Sequence, residues 1–312
     1  MENAILEVAN LTKSYGSFNA LENVNIVMEK GHIYGFIGEN GSGKTTLMRI
    51  LTGLAFQDAG RLFIFGKENL SEINPMRKRI GSIIEMPALY PQYTAYRNLE
   101  LQRILMGNPD KSVCRKLLGM VGLEEVRHKK VKTFSMGMKQ RLSIALALVG
   151  KPDLLILDEP INGLDPKNIA QLRSLLKKLN EEHKVTMLIS SHILSELYLL
   201  ATDYIIIHKG HVIEELSHTD LEAKCRKYIQ IQSDNLPKCS TVLEKELGIS
   251  DYRIMDDHTM RVYEFVDKPQ KISYVFMDHG IVVSGLSVSE QTIEEYFLSV
   301  TGGGWNNEPA KD

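Results

Sequence analysis

Cysteine is scarce in this chain, with only Cys114, Cys225 and Cys239 among 312 residues. An odd number without metal-ligand spacing excludes a disulfide framework and a cysteine-built zinc site. The three read as reduced thiols of a cytosolic protein. Long apolar runs are missing too. None approaches the roughly 20 residues that span a bilayer, and the polar, acidic start Met1-Glu2-Asn3 has no signal-peptide character. Action at a membrane therefore calls for spans supplied by another chain. Nor is there an excess of charge, the formal net value being −2. That leaves no basic footprint for nucleic acid. What remains is 43% hydrophobic and 24% charged, an ordinary globular composition, in a chain long enough for one large domain or two smaller ones.

Against this plain background one stretch organises the rest: Gly38-Glu39-Asn40-Gly41-Ser42-Gly43-Lys44-Thr45-Thr46. The apolar run Ile33, Tyr34, Phe36, Ile37 before it reads as a buried strand, and Leu47, Ile50 and Leu51 behind it as a helix face. The spacing Gly38-x4-Gly43-Lys44-Thr45 is that of a phosphate-binding loop. Glycines let several backbone N–H groups turn toward one phosphate, and the helix start adds its positive end. Lys44 then reaches the β- and γ-phosphates, and the Thr45 hydroxyl is placed to ligate Mg²⁺. The loop by itself implies only that a nucleoside triphosphate binds.

Ahead of it, Ile5–Val8 and the alternating Val24, Ile26, Met28 read as strands flanking a turn at Tyr15-Gly16-Ser17. Tyr15 either stacks on a base or covers a core edge. After the loop, Gly53 ends the helix, and Leu62–Gly66 and Ile80–Ile84 read as strands, the second running into Glu85. From about 94 to 123 the period is helical, carried by Leu99, Leu101, Ile104 and Leu105, then by Val113, Leu117, Leu118 and Val121. This interrupts an alternation of strands and helices and reads as an inserted helical subdomain, about 90–150. Ser135 is placed to cap a helix that continues through Ala145, Leu146 and Leu148 to Gly150.

Leu154–Leu157 is an apolar strand that ends in Asp158 and Glu159. The carboxyl end of a buried parallel strand lies at the ligand crevice of an α/β sheet, so these carboxylates are positioned to act on the nucleotide. Asp165-Pro166 starts a helix through Leu172, Leu175, Leu176 and Leu179. Val185–Ile189 is a further buried strand, and Ser190-Ser191-His192 follows it. Of nine histidines, His192 alone sits at the carboxyl end of a core strand, where it is either structural or functional. Tyr204–Ile207 and Val212-Ile213 complete the sheet. A helix around 217–227 then leads to a region of different pattern. Strands at 228–231, 252–255, 260–265 and 281–283 alternate with helices near 242–247 and 272–277 in the β-α-β-β-α-β order of a ferredoxin-like α+β domain. Ile293, Tyr296 and Phe297 suggest a last helix, and 302–312 a disordered tail.

These residues together resemble the ATPase subunit of ATP-binding cassette (ABC) transporters, over roughly residues 4–225. Gly38–Thr46 resembles the Walker A loop, and Leu154–Glu159 the Walker B strand with its catalytic glutamate. Phe134–Met138 stands where that family has Leu-Ser-Gly-Gly-Gln, keeping Ser135 and Gly137. Asn162–Asp165 resembles the D-loop, His192 the switch histidine and Tyr15 the adenine-stacking aromatic. Glu85 occupies the place of the glutamine-loop residue. Tyr90-Pro91 and the Ser-x-Gly-Met-Lys-Gln-Arg signature look like the subfamily that exports or removes peptide antibiotics such as bacitracin and lantibiotics.

The resemblance implies a P-loop cassette domain over 1–225 with an accessory domain over 226–301. It implies ATP and Mg²⁺ as cofactors and a homodimer, or paired cassettes, closing on two ATP molecules. Membrane-spanning permease partners, a peptide antibiotic as cargo and a position on the inner face of the cell membrane complete the expectation. Lys44, Glu159 and His192 are then catalytic. Thr45, Asp158 and Glu85 face the metal, and Ser135 and Gly137 serve the nucleotide of the opposite cassette. The alternative is an ABC-type ATPase uncoupled from a membrane, such as a cofactor-assembly scaffold.

Overall fold

The computed structural model describes residues 3–85 and 88–302. Two twelve-residue strands, β1 (Ala4–Tyr15) and β2 (Phe18–Glu29), open the chain as a hairpin around Gly16-Ser17. They are longer than the short strands the apolar residues alone suggest. β3 (Ile33–Ile37) leads through the glycine loop into α1 (Lys44–Thr52), and β4 (Ala59–Ile64) returns to pair with β1. A short helix, α2 (Leu70–Met76), anticipated by no sequence period, buries only Ile73. β5 (Ile80–Ile83) follows. The helical stretch is α3 (Ala95–Leu105), α4 (Ser112–Met120) and α5 (Met136–Ala147), with Ser135 capping the last. Then come β6 (Leu154–Leu157), α6 (Pro166–His183), β7 (Thr186–Ser190), α7 (Leu194–Tyr198), β8 (Asp203–His208) and β9 (His211–Ser217).

β2-β1-β4 form an antiparallel sheet, and a six-stranded sheet runs β5-β6-β7-β3-β8-β9, parallel except for β9. Every side chain of β6 is buried, as a strand covered on both faces requires. One apolar cluster joins Leu11, Leu21 and Met28 of the small sheet to Leu47, Ile50 and Leu51 of α1 and to Phe36, Ile156 and Leu188 of the large one. Each such side chain contributes about 1.5–3 kcal/mol by leaving water. The small sheet is thereby packed with the helix that follows the phosphate loop.

One compact unit ends at His218 and a second begins at Thr219, short of the expected boundary at 225, so that α8 (His218–Lys224) straddles the division. The second unit runs β10 (Lys227–Gln232), α9 (Leu236–Leu247), β11 (Tyr252–Ile254), β12 (Thr259–Val262), α10 (Pro269–Asp278), β13 (Gly285–Glu290) and α11 (Ile293–Thr301). Its sheet is antiparallel in the order β11-β12-β10-β13. Ile229, Ile231, Met260 and Val262 meet Leu243 of α9 and Phe276 of α10 in a core of its own. The last strand is not the expected 281–283. Ile281 is buried, but Val282 is 84% exposed, and pairing with β10 is made by 285–290 instead. The tail beyond Gly302 lies outside the described residues.

Candidate functional site

Because β3, β6 and β7 are parallel neighbours, their carboxyl ends open on one edge of the sheet. There β3 gives way to the glycine loop and α1. Gly43 has φ 110°, and a Cβ on it would lie 2.5 Å from the Ala20 carbonyl oxygen, so only glycine fits. The first turn of α1 carries no acidic side chain, which leaves its positive end to an anion. The Ser42 hydroxyl beside it is buried without a hydrogen-bond partner. Lys44 is almost fully buried, and its Nζ donates to the carbonyl oxygens of Gly38 at 2.7 Å and Glu39 at 3.0 Å. Burial lowers the Lys44 pKa, while the Glu159, Asp158 and Glu39 carboxylates oppose that shift.

The carboxylates come from the end of β6. Thr45 Oγ1 donates to Asp158 Oδ2 at 2.8 Å, and Ser190 Oγ donates to Asp158 Oδ1 at 2.6 Å. The Glu159 backbone N–H donates to the same Ser190 oxygen at 2.8 Å. The Glu159 carboxylate turns toward the chain after β7. There its Oε2 lies 2.8 Å from His192 Nδ1 and accepts the His192 backbone N–H at 3.3 Å. His192 therefore holds the carboxylate that follows Asp158.

A cleft of about 220 Å³ at this edge is lined by Tyr15, Phe18, Ala20, Asn40, Gly41, Gly43, Lys44, Thr45, Thr46, Asp158 and Glu159. Tyr15, the loop residues Asn40, Gly41 and Gly43–Thr46 and both acidic residues thus share one site, whereas Gly38, Glu39 and Ser42 of the loop do not line it. Ser135 and Gly137 do not line it. Ser135 is exposed at the start of α5, where its hydroxyl accepts the Met138 N–H, and Gly137 packs on Asn168 of α6. Glu85, expected at the metal, instead pairs with Arg49. Arg49 follows Thr45 by one turn of α1, so its cation is within reach of a carboxylate arriving from β5. Two residues escaped the sequence reading. Phe18 faces Tyr15 across the hairpin, both rings about half exposed, and its place two residues past Gly16 was the available signal. Ser190 follows the expected strand Val185–Ile189 with no motif to mark it, and only the register of β6 against β7 brings it to Asp158.

These groups fit Mg²⁺ and ATP. The orphaned Ser42 hydroxyl, the loop cation and a helix start match phosphate oxygens, and Thr45 with Asp158 offers the hard oxygen donors Mg²⁺ prefers. Residues 21–162 match the sequence profile of the ABC transporter family. The bacitracin transport ATP-binding protein BcrA of Bacillus licheniformis is 41% identical over 96% of this chain and 98% of its own. The lantibiotic transport ATP-binding protein SrtF of Streptococcus pyogenes is 44% identical over 70% of this chain and 93% of its own. Among solved structures, the dimeric post-hydrolysis state of the ATP-binding cassette MJ0796 bound to ADP and Pi aligns with a TM-score of 0.62. It is 29% identical and covers 68% of this chain and 98% of that one. The chain belongs to the ABC transporter family, as an ATP-binding subunit that hydrolyses ATP with Mg²⁺.

Proposed function

We propose that this subunit powers the export or removal of peptide antibiotics through separate membrane-spanning permease subunits, working as paired cassettes. The observation that carries the reading is the end-to-end likeness to a bacitracin transport protein, which extends past the nucleotide-binding unit through 96% of the chain. A cassette uncoupled from any membrane draws no comparable support. Among the described residues no helix is long and apolar enough to cross a membrane, so the spans belong to the partner.

In this reading Lys44 leaves the two loop carbonyls for the β- and γ-phosphates, and the start of α1 receives their charge. Thr45 and Asp158 would hold Mg²⁺, which when bound would neutralise phosphate charge. Glu159 accepts a hydrogen bond from the attacking water, and His192 holds Glu159 in place. Tyr15 and Phe18 offer their faces to the base. Ser135 and Gly137, remote from this cleft, serve the nucleotide of the opposite cassette. Glu85 stays on Arg49 until the nucleotide and metal arrive.

The test is a strain lacking this gene, complemented with wild type, Lys44→Ala or Glu159→Gln. Wild type is expected to raise the inhibitory concentration of bacitracin and of lanthionine peptides, and neither variant to do so. Glu159→Gln should still bind ATP and accumulate as a dimer, whereas Lys44→Ala should lose binding. Unchanged susceptibility to every peptide in all strains overturns the assignment.

A further inference from the structure

Ser190 ends β7 with a fully buried side chain, and β7 lies between β6 and β3. A hydroxyl has one proton and two lone pairs, whereas an ionised carboxylate only accepts, so the direction of its bonds is set. Its proton goes to Asp158 Oδ1 at 2.6 Å, and its oxygen accepts the Glu159 N–H at 2.8 Å. One side chain therefore holds two acidic residues by different parts, the carboxylate of the first and the peptide of the second.

The backbone shows why the second bond matters. Glu159 has φ 47°, in the left-handed region that strains a side-chain-bearing residue. Continued extension would send successive side chains to opposite faces of the sheet. The left-handed turn breaks that alternation, and the Glu159 carboxylate meets His192 at 2.8 Å. Two hydrogen bonds secure the turn: the N–H to Ser190, and the Glu159 carbonyl accepting the Asn162 N–H at 3.2 Å. At the same time Ser190 occupies Asp158 Oδ1, so that Oδ2 is the oxygen turned to Thr45.

We propose that Ser190 is the positioning residue of the hydrolytic site. It aims Glu159 through its peptide and orients Asp158 through its carboxylate, without touching nucleotide or water. The proposal rests on Glu159 as the water-polarising group, and Glu159→Gln run in parallel keeps the two ideas apart.

The experiment is Ser190→Ala in the full chain. The readouts are steady-state ATP turnover, affinity for a fluorescent ATP analogue with and without Mg²⁺, and melting temperature. A misplacement of order 1 Å costs up to about 100-fold in rate, so turnover is expected to fall about 10- to 100-fold while metal-free affinity stays within about twofold. Ser190→Thr, which restores the hydroxyl, is expected to recover most of the turnover. If Ser190→Ala does not fold, Ser190→Cys keeps the side chain filled with a somewhat larger atom, replaces the hydroxyl with a weak donor, and is expected to show the same loss. A folded Ala or Cys variant with wild-type turnover, beside an inactive Glu159→Gln, overturns the role of Ser190. Wild-type turnover in Glu159→Gln overturns instead the assignment on which it rests.

Discussion

Tyr15 and Phe18 stand opposite each other at the end of the β1–β2 hairpin, 48% and 58% exposed. Both line the nucleotide cleft. Two half-exposed rings over a polar cleft are suited to an adenine, since stacking a base on an aromatic is worth about 1–3 kcal/mol. Tyr15→Ala and Phe18→Ala are each expected to weaken ATP affinity about 5- to 100-fold with turnover at saturation largely kept. Titration of a fluorescent ATP analogue reads this directly. If only one variant loses affinity, the other ring is a lid edge and not a stacking face. Glu85 shows the opposite kind of residue. Its pair with Arg49 joins two side chains 57% and 41% exposed, and such surface pairs contribute little to stability. The pair is better understood as charge compensation, with the Arg49 cation standing beside the Glu85 carboxylate.

At the scale of elements, α5 and α6 meet where Gly137 packs on Asn168. A Cβ on Gly137 would lie 2.4 Å from the Asn168 side-chain oxygen, so α5 has no room for a larger residue there unless Asn168 shifts. Asn168 is itself bound by Asp165, the N-cap of α6, whose carboxylate accepts the Asn168 backbone N–H at 2.9 Å and its side-chain amide at 2.7 Å. Those hydrogen bonds, the backbone one first, hold the Asp165 carboxyl below its ordinary value of 3.8. A depressed carboxylate contributes stability that is fully present above 3.8 and is lost as pH falls through the lowered value. Asp165→Asn keeps a capping oxygen but cannot titrate. Melting curves from about pH 5 to about pH 2 are therefore expected to fall less steeply for Asp165→Asn than for wild type. Parallel curves would mean that the cap is not ionised-state specific.

The described residues fall into two compact units, each with buried apolar residues of its own. The nucleotide site is built entirely within the unit that ends at His218, while Ile229, Leu243, Met260 and Phe276 belong to the other cluster. Phe276 is 1% exposed, and its truncation is expected to cost about 3–5 kcal/mol. If the second unit is an accessory domain, Phe276→Ala lowers its own calorimetric transition and leaves ATP affinity unchanged. Affinity falling in step with that transition would instead make the second core part of the nucleotide site's support.

Much of this protein was legible in order along the chain. The glycine loop, the apolar strand ending in Asp158-Glu159 and the Asp165-Pro166 helix start depend on neighbours within a few residues, where backbone preference and burial act locally. The same holds for Ser135 as a cap. What local pattern could not supply was partnership across strands. Ser190 reaches Asp158, 32 residues away, only because β6 and β7 pair in one register, and a shift by one residue would turn its hydroxyl to the other face. Arg49 finds Glu85 across 36 residues because α1 begins at the sheet edge on which β5, parallel to β6, β7 and β3, ends. The last strand was misplaced for the same reason: 281–283 is more apolar, but 285–290 is what β10 can hydrogen-bond. Short-range chemistry determined the elements and the identity of the phosphate loop. Long-range pairing decided which hydroxyl, cation and strand completes each of them.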